Sequence, residues 1–298
     1  MTPKNKANKK TTTSGPLFDR NKKRSRAEII GYLNEAAKTL RLDIVKMVGI
    51  GKKGHLGGSL SIADVVTALY FYKMKHDPKN PKWEKRDRFL LSKGHSALAQ
   101  YAALAECGYF PKEELNKVKE LGGMLQGHPD LTKTPGIEAN TGSLGQGISM
   151  ACGIAAGLKI DGNLESKVYC VLGCGELAEG QVWEAAMAAS VFKLNKLIAI
   201  LDFNNVQATG PRKEIFDTDP IPEKWQAFGW NVFHVDGHDM AQIIDCLDTI
   251  GSKNGKPSII IAKTVKGKGI SFAEHNAAFH NGMLTAEQYE QAIKEISG

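Results

Sequence analysis

The segment VYCVLGCGELAEGQVWEAAMAA concentrates the chemistry of this chain. An apolar run at 168–172 feeds Gly173-Cys174-Gly175 and then an Ala-rich stretch. A strand that passes through a glycine turn into a helix leaves free N–H groups at the positive end of the helix dipole, and such a junction favours a phosphate. Two chemistries fit. In a dinucleotide site, Asp202 at the end of the next apolar run would hold a ribose, but the glycine that follows Gly175 is Gly180, so G-x-G-x-x-G is incomplete. In a thiamine diphosphate site, a glycine-flanked residue and a later Asn pair grip a metal from two adjacent strand ends, and the metal neutralises the diphosphate. Cys174 and the pair Asn204-Asn205, which begins thirty positions on, stand where that site needs them. His55, His95 and His128 lie in Gly-flanked stretches, where a histidine is available for hydrogen bonding and proton transfer.

These residues need strand ends to hold them. The apolar runs at 88–91, 168–172, 197–201, 231–235 and 258–262 read as strands. Helical patterns at 27–48, 61–75, 96–107, 177–192, 221–229 and 240–250 separate or precede them. Strands that are apolar throughout and alternate with helices predict a parallel sheet covered on both faces. Such a sheet binds ligands beyond its C-terminal strand ends. The loops there are 92–95, 173–176, 202–210 and 236–239, all rich in Gly, Asn, His or Asp. A long Gly-rich stretch at 121–142 is of the length that usually carries function.

The chain has 298 residues, 42% hydrophobic and 24% charged, which excludes wholesale disorder and collagen-like repeats. No run is long enough to span a membrane. The net charge of +7 invites a nucleic-acid reading, but residues 1–26 hold six Lys and three Arg against one Asp. The remainder carries 30 basic and 31 acidic side chains, so the excess belongs to the tail and no basic binding face is expected. That tail is nearly free of large apolar groups, and its composition predicts a disordered basic segment ahead of one domain at 27–298. It lacks the apolar core of a secretory signal. Five cysteines with no C-x-x-C pair indicate neither a disulfide framework nor a zinc site, and point to a cytoplasmic protein.

Eight blocks in order resemble the N-terminal section of transketolases: GHLGGSLS (54–61), RDRFLLSKGH (86–95), LQGHPD (125–130), TGSLGQG (141–147), GELAEGQVWEA (175–185), DFNN (202–205), DGHD (236–239) and KTVKGKG (263–269). The resemblance implies the α/β thiamine diphosphate-binding fold, with a central parallel sheet and helices on both faces. It implies transfer of a two-carbon ketol unit from a ketose to an aldose, commonly as sugar phosphates, with thiamine diphosphate as electron sink and Mg²⁺, Mn²⁺ or Ca²⁺ as metal. By position, it assigns His55, His95 and His128 to the thiazolium and substrate channel. It assigns Gly142, Leu144, Gly175, Glu176, Asn204 and His280 to the cofactor, with His95 also reaching the diphosphate. Cys174, Asn204 and the Val206 carbonyl fall at the metal. Glu179, a catalytic position, and Glu184 fall at a contact between subunits. There the first supports the glutamate that protonates the aminopyrimidine.

Two departures stand out. The family places Asp where this chain has Cys174. A thiol is mostly protonated at neutral pH and suits soft metals, whereas Mg²⁺ prefers oxygen. Weak metal binding through Asn204, Val206, water and diphosphate, a preference for a softer metal, and a metal-impaired non-catalytic subunit are all open on the sequence alone. The pyrimidine-binding half of the family has no counterpart in the sequence. A C-terminal partner chain in an α2β2 assembly is therefore expected, with no nucleic-acid or membrane partner. A related thiamine-dependent carboligase is the alternative enzyme.

Overall fold

The computed structural model describes residues 24–250 and 255–298. The predicted disordered tail therefore lies, up to residue 23, outside the described residues. The first helix, Arg26–Val48, begins one residue before the periodic pattern, because Ser25 caps it. The Ser25 hydroxyl accepts the Glu28 N–H at 3.3 Å and the Glu28 carboxylate accepts the Ser25 N–H at 2.7 Å, a reciprocal capping box. Leu33, Ala37, Leu40 and Ile44 face the core from this helix, at the 3.6-residue period that predicts it.

Five parallel strands form one sheet: β1 (Arg88–Leu91), β2 (Val168–Gly173), β3 (Leu197–Phe203), β4 (Asn231–Asp236) and β5 (Ser258–Lys263). Their spatial order is β1-β2-β3-β5-β4. Register pairs Gly173 with Asp202 and Phe203 with Lys263, so the C-terminal ends of the three central strands are level. The sheet divides two apolar cores. Tyr169, Val171, Ile198, Ile200 and Ile260 point to the face covered by Arg26–Val48, Ala97–Cys107 and Met240–Thr249. Cys170, Leu172, Ala199, Leu201 and Ile261 point to the face covered by Gln146–Ile160, Gly180–Val191 and Ile221–Ala227. Burial on both faces is why the strands read as unbroken apolar runs. β4 is the exception: it closes one edge, and only Val235 along it is buried.

Two elements differ from the sequence expectation. The helix expected to start at residue 61 starts at Leu56, taking in residues 56–59 of the Gly-rich stretch GKKGHLGGS that reads as a turn, and the helical path continues with two short changes of winding to Lys73. Glycines are needed there for room, since a Cβ on Gly58 would lie 2.7 Å from the Ser96 hydroxyl. The Gln146–Ile160 helix has no counterpart among the expected elements. Its Gly147, Gly153 and Gly157 dilute the helical signal, and Gly147 lets it approach β1 so closely that a Cβ would sit 2.5 Å from Ser92 Cα.

Candidate active site

The loops that follow β1, β2, β3 and β5 surround one cavity of about 300 Å³. His55, His95, Gly142, Leu144, Cys174, Gly175, Glu176, Asn204, Val206 and His280, all named from the sequence, line it. Parallel strands bring the four loops together because neighbouring C-terminal ends splay around a common crevice. The loop after β4 lies at the sheet edge and does not line the cavity. It acts at a distance instead. His238 Nε2 accepts the Val265 N–H at 2.9 Å while Nδ1 contacts the Asp64 carboxylate at 2.7 Å, bracing the loop after β5.

His55, His95 and His280 form a cluster, with ring centres 5.2 Å apart for His55 and His95 and 4.8 Å for His95 and His280. His128 lies 6.0 Å from His55 and lines a neighbouring opening of about 600 Å³ that shares Gly142 with the first. Burial, reinforced by nearby lysines, pushes their pKa values down, to about 4 for His55, about 2 for His95 and about 3 for His280. His128 is lowered in the same way, by burial and by Lys119. At neutral pH all four are neutral imidazoles, each with one N–H to give and one lone pair to accept. That is the equipment needed to hold and relay protons of sugar hydroxyls.

The carboxylates fall in different settings. Glu176 is fully buried and turned inward: it accepts from the Ser92 hydroxyl, from Gly145 N–H at 2.8 Å and from Gly173 N–H at 2.9 Å. Burial raises its pKa against those donors. At the wall of the cavity that it lines, its oxygens fix the β2 turn and the turn before Gln146–Ile160. Asp202 is likewise spent. It accepts from Lys93 Nζ at 2.5 Å, Ser61 Oγ at 2.7 Å, Asn204 Nδ2 at 2.8 Å and the Thr264 hydroxyl. Burial alone would raise this carboxyl, but Lys93 and the hydroxyls hold it below its usual range. With four buried donors and an ion pair to Lys93, the carboxylate is engaged within the protein, which weakens the dinucleotide reading's acidic anchor. Glu179 and Glu184 are exposed, outside the cavity. Glu179 starts the Gly180–Val191 helix and packs against Gly145.

Five cavity residues lie outside the set singled out from the sequence: Gly58, Ala208, and the polar Lys93, Gln207 and Lys266. Both lysines stand in the family-like blocks, two or three residues past a strand end and beside glycine, which is the available signal. Lys266 Nζ donates to the Val206 carbonyl at 2.9 Å and the Gln207 carbonyl at 3.1 Å, and meets His280 Nδ1 at 2.9 Å. Burial and the Lys93 charge lower its pKa to about 8, which leaves it mostly an ammonium at pH 7. Gln207 Nε2 is buried without a partner, and a Cβ on Gly175 would lie 2.8 Å from Gln207 Cγ. A cavity wall that carries an unsatisfied amide donor beside a side-chain-free turn, with an ammonium at its edge, fits a diphosphate.

The expected metal ligands converge but do not suit a hard divalent ion. Cys174 is buried, and burial together with the Asp202 charge raises its pKa, so it stays a thiol. Its Sγ is 3.9 Å from Asn204 Oδ1, which already accepts the Val206 N–H at 3.0 Å. The Val206 carbonyl faces an ammonium. Among the described residues no group of three or more His, Cys, Asp or Glu could hold a metal.

Residues 33–298 match the family described as transketolase, thiamine diphosphate binding domain. The 6-deoxy-6-sulfo-D-fructose transketolase subunit SqwG of a Clostridium species is 46% identical over 264 residues, 89% of this chain and 96% of that protein. One subunit of the apulose-4-phosphate transketolase of Phocaeicola vulgatus is 43% identical, over 86% of this chain and 91% of its own length. The crystal structure of transketolase from Campylobacter jejuni superposes with a TM-score of 0.82 at 34% identity, covering 89% of this chain but 42% of that one.

Proposed function

The chain belongs to the transketolase family, in its thiamine diphosphate-binding part, and from that premise we propose that it is one subunit of a split transketolase that transfers a two-carbon ketol unit from a ketose to an aldose. The observation that carries the reading is the cavity itself, where four strand-end loops and the turn before the Leu56–Ser61 helix gather His55, His95, Gly175, Asn204, Gln207, Lys266 and His280. Relatives of matching length are named as subunits, which supports a partner that supplies the pyrimidine-binding half. Sugar phosphates as substrates and an α2β2 assembly are part of the proposal.

Thiamine diphosphate, when bound, supplies the electron sink that makes carbon–carbon cleavage next to a carbonyl possible. The protein does the rest. Gly175 and the Gln207 amide hold the diphosphate end, Gly142 and Leu144 flank the rings, and Asn204 orients the loop after β3. His55, His95, His128 and His280 hold substrate hydroxyls and move protons between them and the reacting oxygen, because neutral imidazoles accept and donate at pH 7. Glu179 faces the contact with the partner. The Mg²⁺ expected from the resemblance is not carried forward, since its donor set here is a thiol and two engaged carbonyl groups. Five buried cysteines with no disulfide between them support a cytoplasmic setting. Among the described residues no helix is long and apolar enough to cross a membrane.

The test is reconstitution. The purified chain alone is expected to give negligible ketol transfer, and co-purification with the C-terminal transketolase section of the same genome should restore it. Full turnover by the isolated, monodisperse chain would refute the split-enzyme reading. A complex that binds thiamine diphosphate without turnover would favour a non-catalytic subunit.

A further inference from the structure

We propose that the Lys266 ammonium takes the place of a divalent cation in this chain, so that it binds the diphosphate of its cofactor without metal. The inference rests on the thiamine diphosphate reading and concerns how the same cavity neutralises its ligand.

Three observations carry it. First, the position that should supply an anionic oxygen supplies Cys174, a buried thiol beside the Asp202 carboxylate. A hard cation gains little from a neutral sulfur. The other acidic groups at the cavity are committed: Asp202 to Lys93, Ser61, Asn204 and Thr264, and Glu176 to Ser92, Gly145 and Gly173. Second, a cation already sits on the carbonyl that a metal would need. Lys266 Nζ lies 2.9 Å from Val206 O and 3.1 Å from Gln207 O, an oxygen cage on a small scale. A divalent ion on Val206 O would have to displace the ammonium or face its charge at short range. Third, the two lysines at the cavity differ in their partners. Lys93 is neutralised by Asp202 at 2.5 Å, whereas Lys266 is bonded to three neutral acceptors, Val206 O, Gln207 O and His280 Nδ1. Its charge is therefore the one left to act on an anion. The unpartnered Gln207 amide adds a donor on the same wall.

The observations are linked by charge balance. Asp202 is already offset by Lys93, so a carboxylate at position 174 would add one uncompensated negative group against a diphosphate and call for a further cation. With a neutral thiol there that demand is gone, and the Lys266 ammonium meets the diphosphate without a competing carboxylate. The cation is supplied by the loop after β5, which His238 braces through the Val265 N–H at 2.9 Å.

The experiment measures thiamine diphosphate affinity of the full-length chain, alone and reconstituted with the C-terminal transketolase section of the same genome, by titration calorimetry, after exhaustive EDTA treatment and again with Mg²⁺, Mn²⁺ or Zn²⁺ added. The wild type should bind equally well in all conditions, within about threefold. Lys266→Met should weaken binding in EDTA by about 30-fold, the range of one charge-assisted contact. Cys174→Asp should bind poorly in EDTA and recover with Mg²⁺, creating the dependence that the wild type lacks. Wild-type affinity that falls tenfold or more in EDTA and returns with a metal would overturn the proposal while leaving the cofactor reading intact. Recovery with Zn²⁺ alone would assign the thiol as a soft-metal ligand and overturn it too. Metal-free binding that survives Lys266→Met would overturn the assignment to this lysine. Absence of binding by the folded wild type in every condition, with the partner present as well as without it, would instead refute the thiamine diphosphate reading. The wild-type arm needs no variant, so a folding defect in Lys266→Met does not rescue or sink the idea.

Discussion

The four histidines show how burial alone can set the charge state of a site. Each imidazole is held neutral because water is excluded around it and lysines stand nearby, with His95 the most strongly lowered, to about 2. A group whose folded pKa lies below its unfolded value binds a proton on unfolding, so stability is complete above the unfolded pKa and is lost as pH falls through it. The unfolded value for histidine is about 6.5. The chain should therefore lose stability progressively below about pH 6.5, with His95 contributing on the order of 1 kcal/mol per pH unit after allowance for its partial exposure. Urea midpoints of wild type and His95→Gln at pH 7.5 and pH 5.5 check this. The variant should show the shallower pH dependence, and equal slopes would refute the account. The same residue scale explains why the pairing of Lys93 with Asp202 is hidden in the sequence. It spans 109 positions and cannot be read from local spacing.

At the scale of elements, close approach decides more than propensity. The Gln146–Ile160 helix carries three glycines, a poor helical composition, yet it packs directly on the end of β1. Gly147 makes this possible, because a side chain there would enter the space of Ser92 at 2.5 to 2.6 Å, backbone included. Ser92 in turn donates to Glu176, so the helix, the β1 end and the β2 turn are one packed unit. Gly147→Ala should therefore destabilise the fold by about 2–3 kcal/mol, as overpacking does, although alanine is the better helix former. Equilibrium unfolding measures it. A neutral or stabilising effect would show that propensity governs here and that the contact is soft. Gly153→Ala is the control, since nothing lies within 4 Å of the Cβ it would add.

For the molecule as a whole, charge and fold are separable. The surplus of basic residues lies in the first 26 positions, while the folded part is nearly balanced. The boundary is sharper than composition predicts: Ser25 caps the first helix, and Arg26 pairs with Asp245 at 2.5 Å. Removing residues 1–23 should leave the melting temperature unchanged while lowering the isoelectric point. Removing 1–26 deletes the capping box and should cost about 1 kcal/mol, or ~2–4 °C for a domain of this size. Thermal melts of the two truncations distinguish them, and equal melting temperatures would mean the cap contributes nothing. The remainder, two apolar cores on either side of one parallel sheet, is what carries the strand-end loops to a common crevice.

Sequence by itself determined the local and the ordered. Five strands and most helices follow from apolar runs and periodicity, which depend on neighbours along the chain. The glycine turn at 173–175, the Asn pair and the histidine loops follow from residue type at fixed spacing. Their gathering at one sheet end follows from the rule that parallel strands share a C-terminal edge. Only the tertiary structure decided how the charges are spent. That Glu176 turns inward, that Asp202 is engaged within the protein, that Lys266 lands on the Val206 carbonyl and that His280 joins His95 are matters of approach between segments far apart in the chain. Hydrogen bonds and ion pairs saturate: a carboxylate that has found buried donors is no longer available to a ligand. A one-dimensional pattern records which groups are present, and the packed fold records which of them are still free.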